Sequence, residues 1–170
     1  MNNKERSAAI RAEIKKLGYN SRQVSVRSSN CGYSDSTRIE IKDLSCDAKA
    51  IEKAVMKFES IRYDEYSGEI LSGANTYIFV NYEWKALHGG REAKMAEAEA
   101  IIAKLDNEQI HIQKDEREFI IYKQGDFYTM TCFENGLSAG TMEIRPTSNV
   151  NHFKASLATA LATNFNTCAA

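Results

Sequence analysis

The sequence predicts an α+β fold in two small lobes, α-β-β-α-β followed by α-β-β-β-β-α, with antiparallel sheets covered by helices. Three observations predict it. Apolar residues recur at helical spacing in four stretches. Between them lie short stretches where apolar and polar residues alternate, several rich in β-branched and aromatic side chains. Punctuation at Gly18, Gly89-Gly90, Asn135-Gly136 and Pro146 separates these stretches.

Residues 3–17 predict the first helix. Ala8, Ala9, Ala12, Ile10, Ile14 and Leu17 supply its apolar stripe, and Gly18 stands at its C-cap. Gln23–Ser28 and Arg38–Lys42 alternate with the period of a strand. Together they predict a hairpin whose solvent face carries Arg38, Glu40 and Lys42. Asp47 is the expected N-cap of a helix at 48–61, with Ile51, Val55, Phe58 and Ile61 facing inward. Thr76–Glu83 predicts a third strand. Its aromatics Tyr77, Phe79 and Tyr82, with Trp84 beyond, are expected mainly in the core.

Gly89-Gly90 predicts a break before a helix at 91–105. Gln109–Gln113, Phe119–Lys123, Phe127–Phe133 and Thr141–Arg145 predict four strands, the last two joined through the Asn135-Gly136 turn. Pro146 ends the fourth, and a helix is expected over 151–164 with Phe153, Leu157, Leu161 and Phe165 inward. The lobes are 1–86 and 87–170. The Gly-Gly joint is too short for a free linker, so one compact domain also fits.

The 170 residues are 43% hydrophobic and 26% charged, which suits a folded domain and excludes a disordered chain. No apolar run reaches the roughly 18–20 residues of a membrane span. The charged start, Met1–Arg6, lacks the apolar centre of a signal peptide, so a cytoplasmic setting is expected. Cys31, Cys46, Cys132 and Cys168 show no C-x-x-C spacing and predict free thiols. Net charge is −1, which excludes a chain that is basic throughout. The charge is uneven. Residues 1–43 hold nine basic and five acidic residues, a net of +4, and residues 86–170 hold eight and eleven, a net of −3.

Tyr63–Asn75 is the longest polar connection, with three carboxylates, two tyrosines and two glycines. Loops of this length are usually functional or mobile. Asp64, Glu65, Tyr66 and Glu69 are therefore the candidate protein-binding residues. The same carboxylates are the candidate ligands for a divalent cation, but their spacing lacks the alternation of a calcium loop. Arg11, Lys15, Arg22 and Arg27 are the candidate phosphate contacts, since each cation that meets a phosphate releases counterions. His88, His111 and His152 fit no metal or catalytic spacing. No residue is assigned as catalytic or metal-binding, and no cofactor is expected.

Ala8-Ala9-Ile10-Arg11-Ala12-Glu13-Ile14-Lys15-Lys16, the Val24-Ser25-Val26-Arg27 strand with its Tyr33-Ser34 turn, and Tyr63–Asn75 leading into Thr76–Val80 carry a family likeness. Over about residues 5–83 the chain resembles a small domain associated with large polyvalent proteins of phages and conjugative elements. The same domain occurs in short stand-alone proteins of such elements. The resemblance implies a mobile-element protein acting against host defences. The expected form is an anti-CRISPR protein that binds an RNA-guided nuclease of type II and blocks DNA recognition or cleavage. Two alternatives stay open: a metal-dependent nuclease acting on guide or target nucleic acid, and a nucleic-acid-binding accessory of the element.

Overall fold

The computed structural model describes residues 2–30, 32–106, 108–114, 116–144 and 146–166. In chain order the elements are α1 (Asn3–Lys16), β1 (Val24–Asn30), β2 (Ser34–Ile41), α2 (Ala48–Val55), β3 (Asn75–Tyr82), α3 (Trp84–Lys104), β4 (Ile110–Lys114), β5 (Arg117–Gln124), β6 (Phe127–Glu134), β7 (Leu137–Ile144) and α4 (Pro146–Ala162). The fold is α+β. The chain divides into two compact units, Met1–Ala86 and Leu87–Ala170.

In the first unit the sheet order is β1-β2-β3. β1 and β2 pair antiparallel, with Val24 opposite Ile41 and Val26 opposite Ile39. β2 and β3 run parallel, which differs from the antiparallel pairing expected. A parallel pair needs a crossover, and α2 with the long loop after it supplies one. Ile10 and Ile14 of α1 and Ile51 and Val55 of α2 pack with Val24, Val26, Ile39, Ile41 and Ile78. The strand register places all these residues on one face, so both helices cover the same side of the sheet.

The α1 stripe differs from the expected one. Arg6, Ser7, Ile10 and Ile14 are buried, while Leu17 and the alanines at 8 and 12 are exposed or nearly so. Polar contacts explain the shift. Ser7 Oγ lies 2.6 Å from Ser28 Oγ, which lies 2.8 Å from Thr37 Oγ1. Arg6 pairs with Asp35 at 3.2 Å. Asn2 caps the helix by accepting the Glu5 N–H, and Glu5 accepts the Asn2 N–H in return. Asp47 caps α2 as expected, accepting the Ala50 N–H at 3.0 Å.

The second helix ends at Val55 and tightens into a 3₁₀ turn over Met56–Phe58, short of the expected 61. The free edge of β3 takes the chain instead. Glu59 Oε1 accepts the Ile78 N–H at 3.1 Å, and Ser60 exchanges both backbone bonds with Thr76. The other edge is covered too, because Arg11 Nη2 donates to the Val26 carbonyl at 2.7 Å. Bare strand edges invite pairing with other chains, and both edges of this sheet carry side-chain or backbone partners.

The second unit is a meander, β4-β5-β6-β7, antiparallel throughout. Asn135 and Gly136, at φ +52° and +77°, form the β6–β7 turn in the left-handed conformation that hairpins of this length require. Phe119, Ile121, Met130 and Cys132 face Phe153, Leu157 and Phe165 in its core, with Ala98 and Leu105. The Phe119 and Phe165 rings meet at 4.4 Å. Two boundaries differ from expectation. α3 runs unbroken through Gly89-Gly90, because the Ala, Glu, Lys and Met around them offset a cost of about 1 kcal/mol per glycine. Pro146 opens α4 rather than only ending a strand, since proline suits the first helical turn. Cys46 and Cys132 are buried and not in a disulfide, whereas Cys31, Arg145 and Cys168 lie outside the described residues.

Candidate functional site

The loop after α2 is a built structure. Tyr63 pairs with Ile70, and Leu71 N–H donates to the Arg62 carbonyl at 2.8 Å, so 62–71 is a small hairpin. Asp64 forms its tip. Its Oδ1 accepts the N–H groups of Tyr66 at 3.0 Å and Ser67 at 2.8 Å, and Gly68 N–H closes on the Asp64 carbonyl. Gly68 sits at φ +70°, where a Cβ strains the backbone. These backbone donors, first Ser67 and then Tyr66, hold the Asp64 carboxyl below the ordinary aspartate range.

Asn75 ties the loop to the sheet. It is 2% exposed. Its Oδ1 accepts the Arg62 N–H at 2.9 Å, and its Nδ2 donates to the Leu71 carbonyl at 2.7 Å and the Tyr77 hydroxyl at 3.2 Å. One residue before it, Ala74 at φ +57° donates its N–H to the Tyr33 carbonyl at 2.6 Å. The loop is thereby joined to the β1–β2 turn, and the two form one end of the unit.

That end is rich in exposed aromatic surface. Tyr66 is 99% exposed and Tyr33 84%, with Tyr63 and Ile70 more than half exposed. A shallow depression of about 490 Å³ is bounded by Arg62, Tyr63, Glu65, Tyr66 and Leu71. Serines, glycines and asparagine alternate there with the charged Arg62, Asp64, Glu65 and Glu69. Large rigid amphipathic rings among small polar residues are the chemistry of adaptable protein-recognition loops.

Among the protein-binding candidates, Glu65, Tyr66 and Glu69 are exposed on this end. Asp64 differs, because one of its carboxylate oxygens is spent on the turn. Among the described residues, no group of three or more His, Cys, Asp or Glu side chains converges to hold a metal ion. The three loop carboxylates are thus not assembled as a ligand set.

The four basic candidates do not form one patch. Arg11 and Lys15, one helical turn apart, flank a groove of about 310 Å³ floored by Ile14, Val24 and Val26. Arg11 is committed to the Val26 carbonyl. Arg22 is exposed in the α1–β1 connection. Arg27 neighbours Val26 in a strand and therefore points to the opposite sheet face. There it lies opposite Arg38, which in turn is beside Phe79, both exposed, so the expectation of a mainly buried aromatic cluster is corrected for Phe79. Tyr82 is the inward-facing aromatic, its hydroxyl donating to the Cys46 carbonyl at 2.8 Å. Trp84 is 70% exposed at the start of α3. His111 Nδ1 lies 2.8 Å from Glu118 Oε1, and His88 and His152 are exposed.

Sequence reasoning missed Tyr33 and the anchoring role of Asn75. A signal for the hairpin was present: an Asp-x-x-x-Gly stretch between Tyr63 and Ile70. The Tyr33 carbonyl contact had none, because it joins residues 41 positions apart. Comparison with family models, with curated proteins and with solved structures gives no match.

Proposed function

We propose that this protein acts by stoichiometric binding, as a mobile-element inhibitor of a bacterial defence nuclease, with the tyrosine-rich end of its first unit as the contact surface. The observation that carries the reading is the exposure of Tyr33, Tyr63 and Tyr66 on a frame already hydrogen-bonded through Asp64 and Asn75. A preformed frame reduces the ordering cost of association. Tyrosines add large contact area with few rotatable bonds. Glu65 and Glu69 beside them suit a partner surface bearing arginine and lysine, as nucleic-acid channels do. The resemblance of residues 5–83 directs the choice of partner to an RNA-guided nuclease of type II, acting in the host cytoplasm. Among the described residues no helix is long and apolar enough to cross a membrane.

Target-DNA cleavage by a guide-loaded type II CRISPR nuclease, titrated with the protein, tests this. Inhibition saturating near one protein per effector is the expected result. Inhibition at far lower ratios, abolished by chelator, points instead to the metal-dependent nuclease alternative. Absence of inhibition in every order of addition removes this effector as the partner.

A further inference from the structure

We propose that the sheet face opposite α1 and α2 binds a single-stranded nucleic acid. Strand parity places Arg27, Arg38, Tyr77 and Phe79 on that face, and the register aligns them. Arg27 is directly opposite Arg38, and Arg38 is beside Phe79. Tyr77, two residues before Phe79, stands beside Ser36.

Three features point to this ligand. Like charges directly opposite in a sheet destabilise it. Among the described residues neither guanidinium has a carboxylate within ion-pair distance, and Glu40, two residues along β2 from Arg38, is the nearest acid on that face, so a polyanion would relieve the repulsion further. The Tyr77 and Phe79 ring centroids are 6.3 Å apart with their planes 20° from parallel, both on one strand face. Aromatics spaced i, i+2 on a sheet present ring faces on which successive bases stack. Finally, the face is open to a ligand, with Arg38 exposed and Phe79 47% exposed.

Single strands fit better than duplex, whose bases are already stacked on one another. Ser29, Ser36 and Asn81 on the same face supply hydroxyl and amide groups for base edges. Glu40 lies across from Ser25, at the end of the face away from Tyr77. The proposal does not depend on the tyrosine-rich end. A failure here leaves that reading standing, and the reverse holds as well.

The test is fluorescence anisotropy with short labelled oligo-dT, oligo-U and a duplex of the same length, at low and moderate salt. Both single strands or one of them should bind within the range of roughly 1–100 µM typical of non-specific contacts. Their ratio shows whether DNA or RNA is preferred. Phe79→Ala should weaken binding by about tenfold, as loss of one stacked base does. Arg38→Gln should weaken it and flatten the salt dependence by about 0.7 in the log–log slope. Circular dichroism checks that both variants fold, and their exposed positions favour this. No binding of either strand overturns the proposal, and a protein ligand for this face would give that result. Equal binding of duplex, or binding unchanged in both variants, overturns it too.

Discussion

The side chain of Asn75 reaches back across the loop to Arg62 and accepts its backbone N–H at 2.9 Å. The same amide donates to the Leu71 carbonyl, so one buried residue closes both arms of the hairpin that carries Tyr63 and Tyr66. Asn75→Ala leaves these backbone groups without their partner. Unfolding in urea should show a loss of roughly 1–3 kcal/mol. Hydrogen exchange at Arg62 should quicken beyond that global change. Equal stability and equal exchange in the variant would detach Asn75 from the loop's architecture.

Asp35 makes stability depend on acid. Burial pushes its carboxyl upward, but hydrogen bonds from Arg6, Asn3 and Asn30 outweigh this and hold it below the ordinary aspartate range. A depressed folded value gives stability that is full above the unfolded value of about 3.9 and is lost as pH falls through the folded one. Denaturation midpoints should therefore fall as pH drops below about 4, and Asp35→Asn should reduce that fall. At neutral pH the variant should lose roughly 1–3 kcal/mol, because Arg6 stays buried beside a neutral amide.

Gly89 lies in the body of α3 at a helical φ, and a Cβ there would meet nothing within 4 Å. Gly89→Ala should stabilise the protein by about 0.5–1 kcal/mol through backbone entropy alone. Thermal unfolding reads this directly. A destabilised variant would mean that the helix is interrupted at Gly89-Gly90 after all.

Arg38→Glu separates stability from binding. Placing Glu opposite Arg27 replaces repulsion with an opposite-charge pair, for a gain of roughly 0.2–1 kcal/mol. The same change should weaken single-strand binding more than Arg38→Gln does. A variant that is both less stable and equally active in binding contradicts the account of this face.

Much of the fold was legible because period and local chemistry agree. Val24, Val26, Ile39 and Ile41 alternate and are buried, and Asp47 and Asn135-Gly136 cap and turn where their side chains and φ preferences dictate. What stayed hidden depends on distant partners. The parallel pairing of β2 and β3 is decided by where α2 packs. The end of α2 is decided by Glu59 and Ser60 finding the edge of β3. The candidate loop was visible as composition, but its hydrogen-bonded frame was not, because Asn75 and Tyr33 act across the chain. Arg27 was grouped with Arg11 by nearness in sequence, and strand parity separates them.

The central claim is that the tyrosine-rich end makes the decisive contact with a defence nuclease. Titrated inhibition of target cleavage, comparing the parent protein with Tyr66→Ala and with Glu65→Lys/Glu69→Lys, tests it most directly. Melting curves establish that the variants fold. The account predicts inhibition near one protein per effector for the parent, and a loss of roughly tenfold or more in potency for folded variants, as for an aromatic hot spot. Full inhibition by both variants would contradict it.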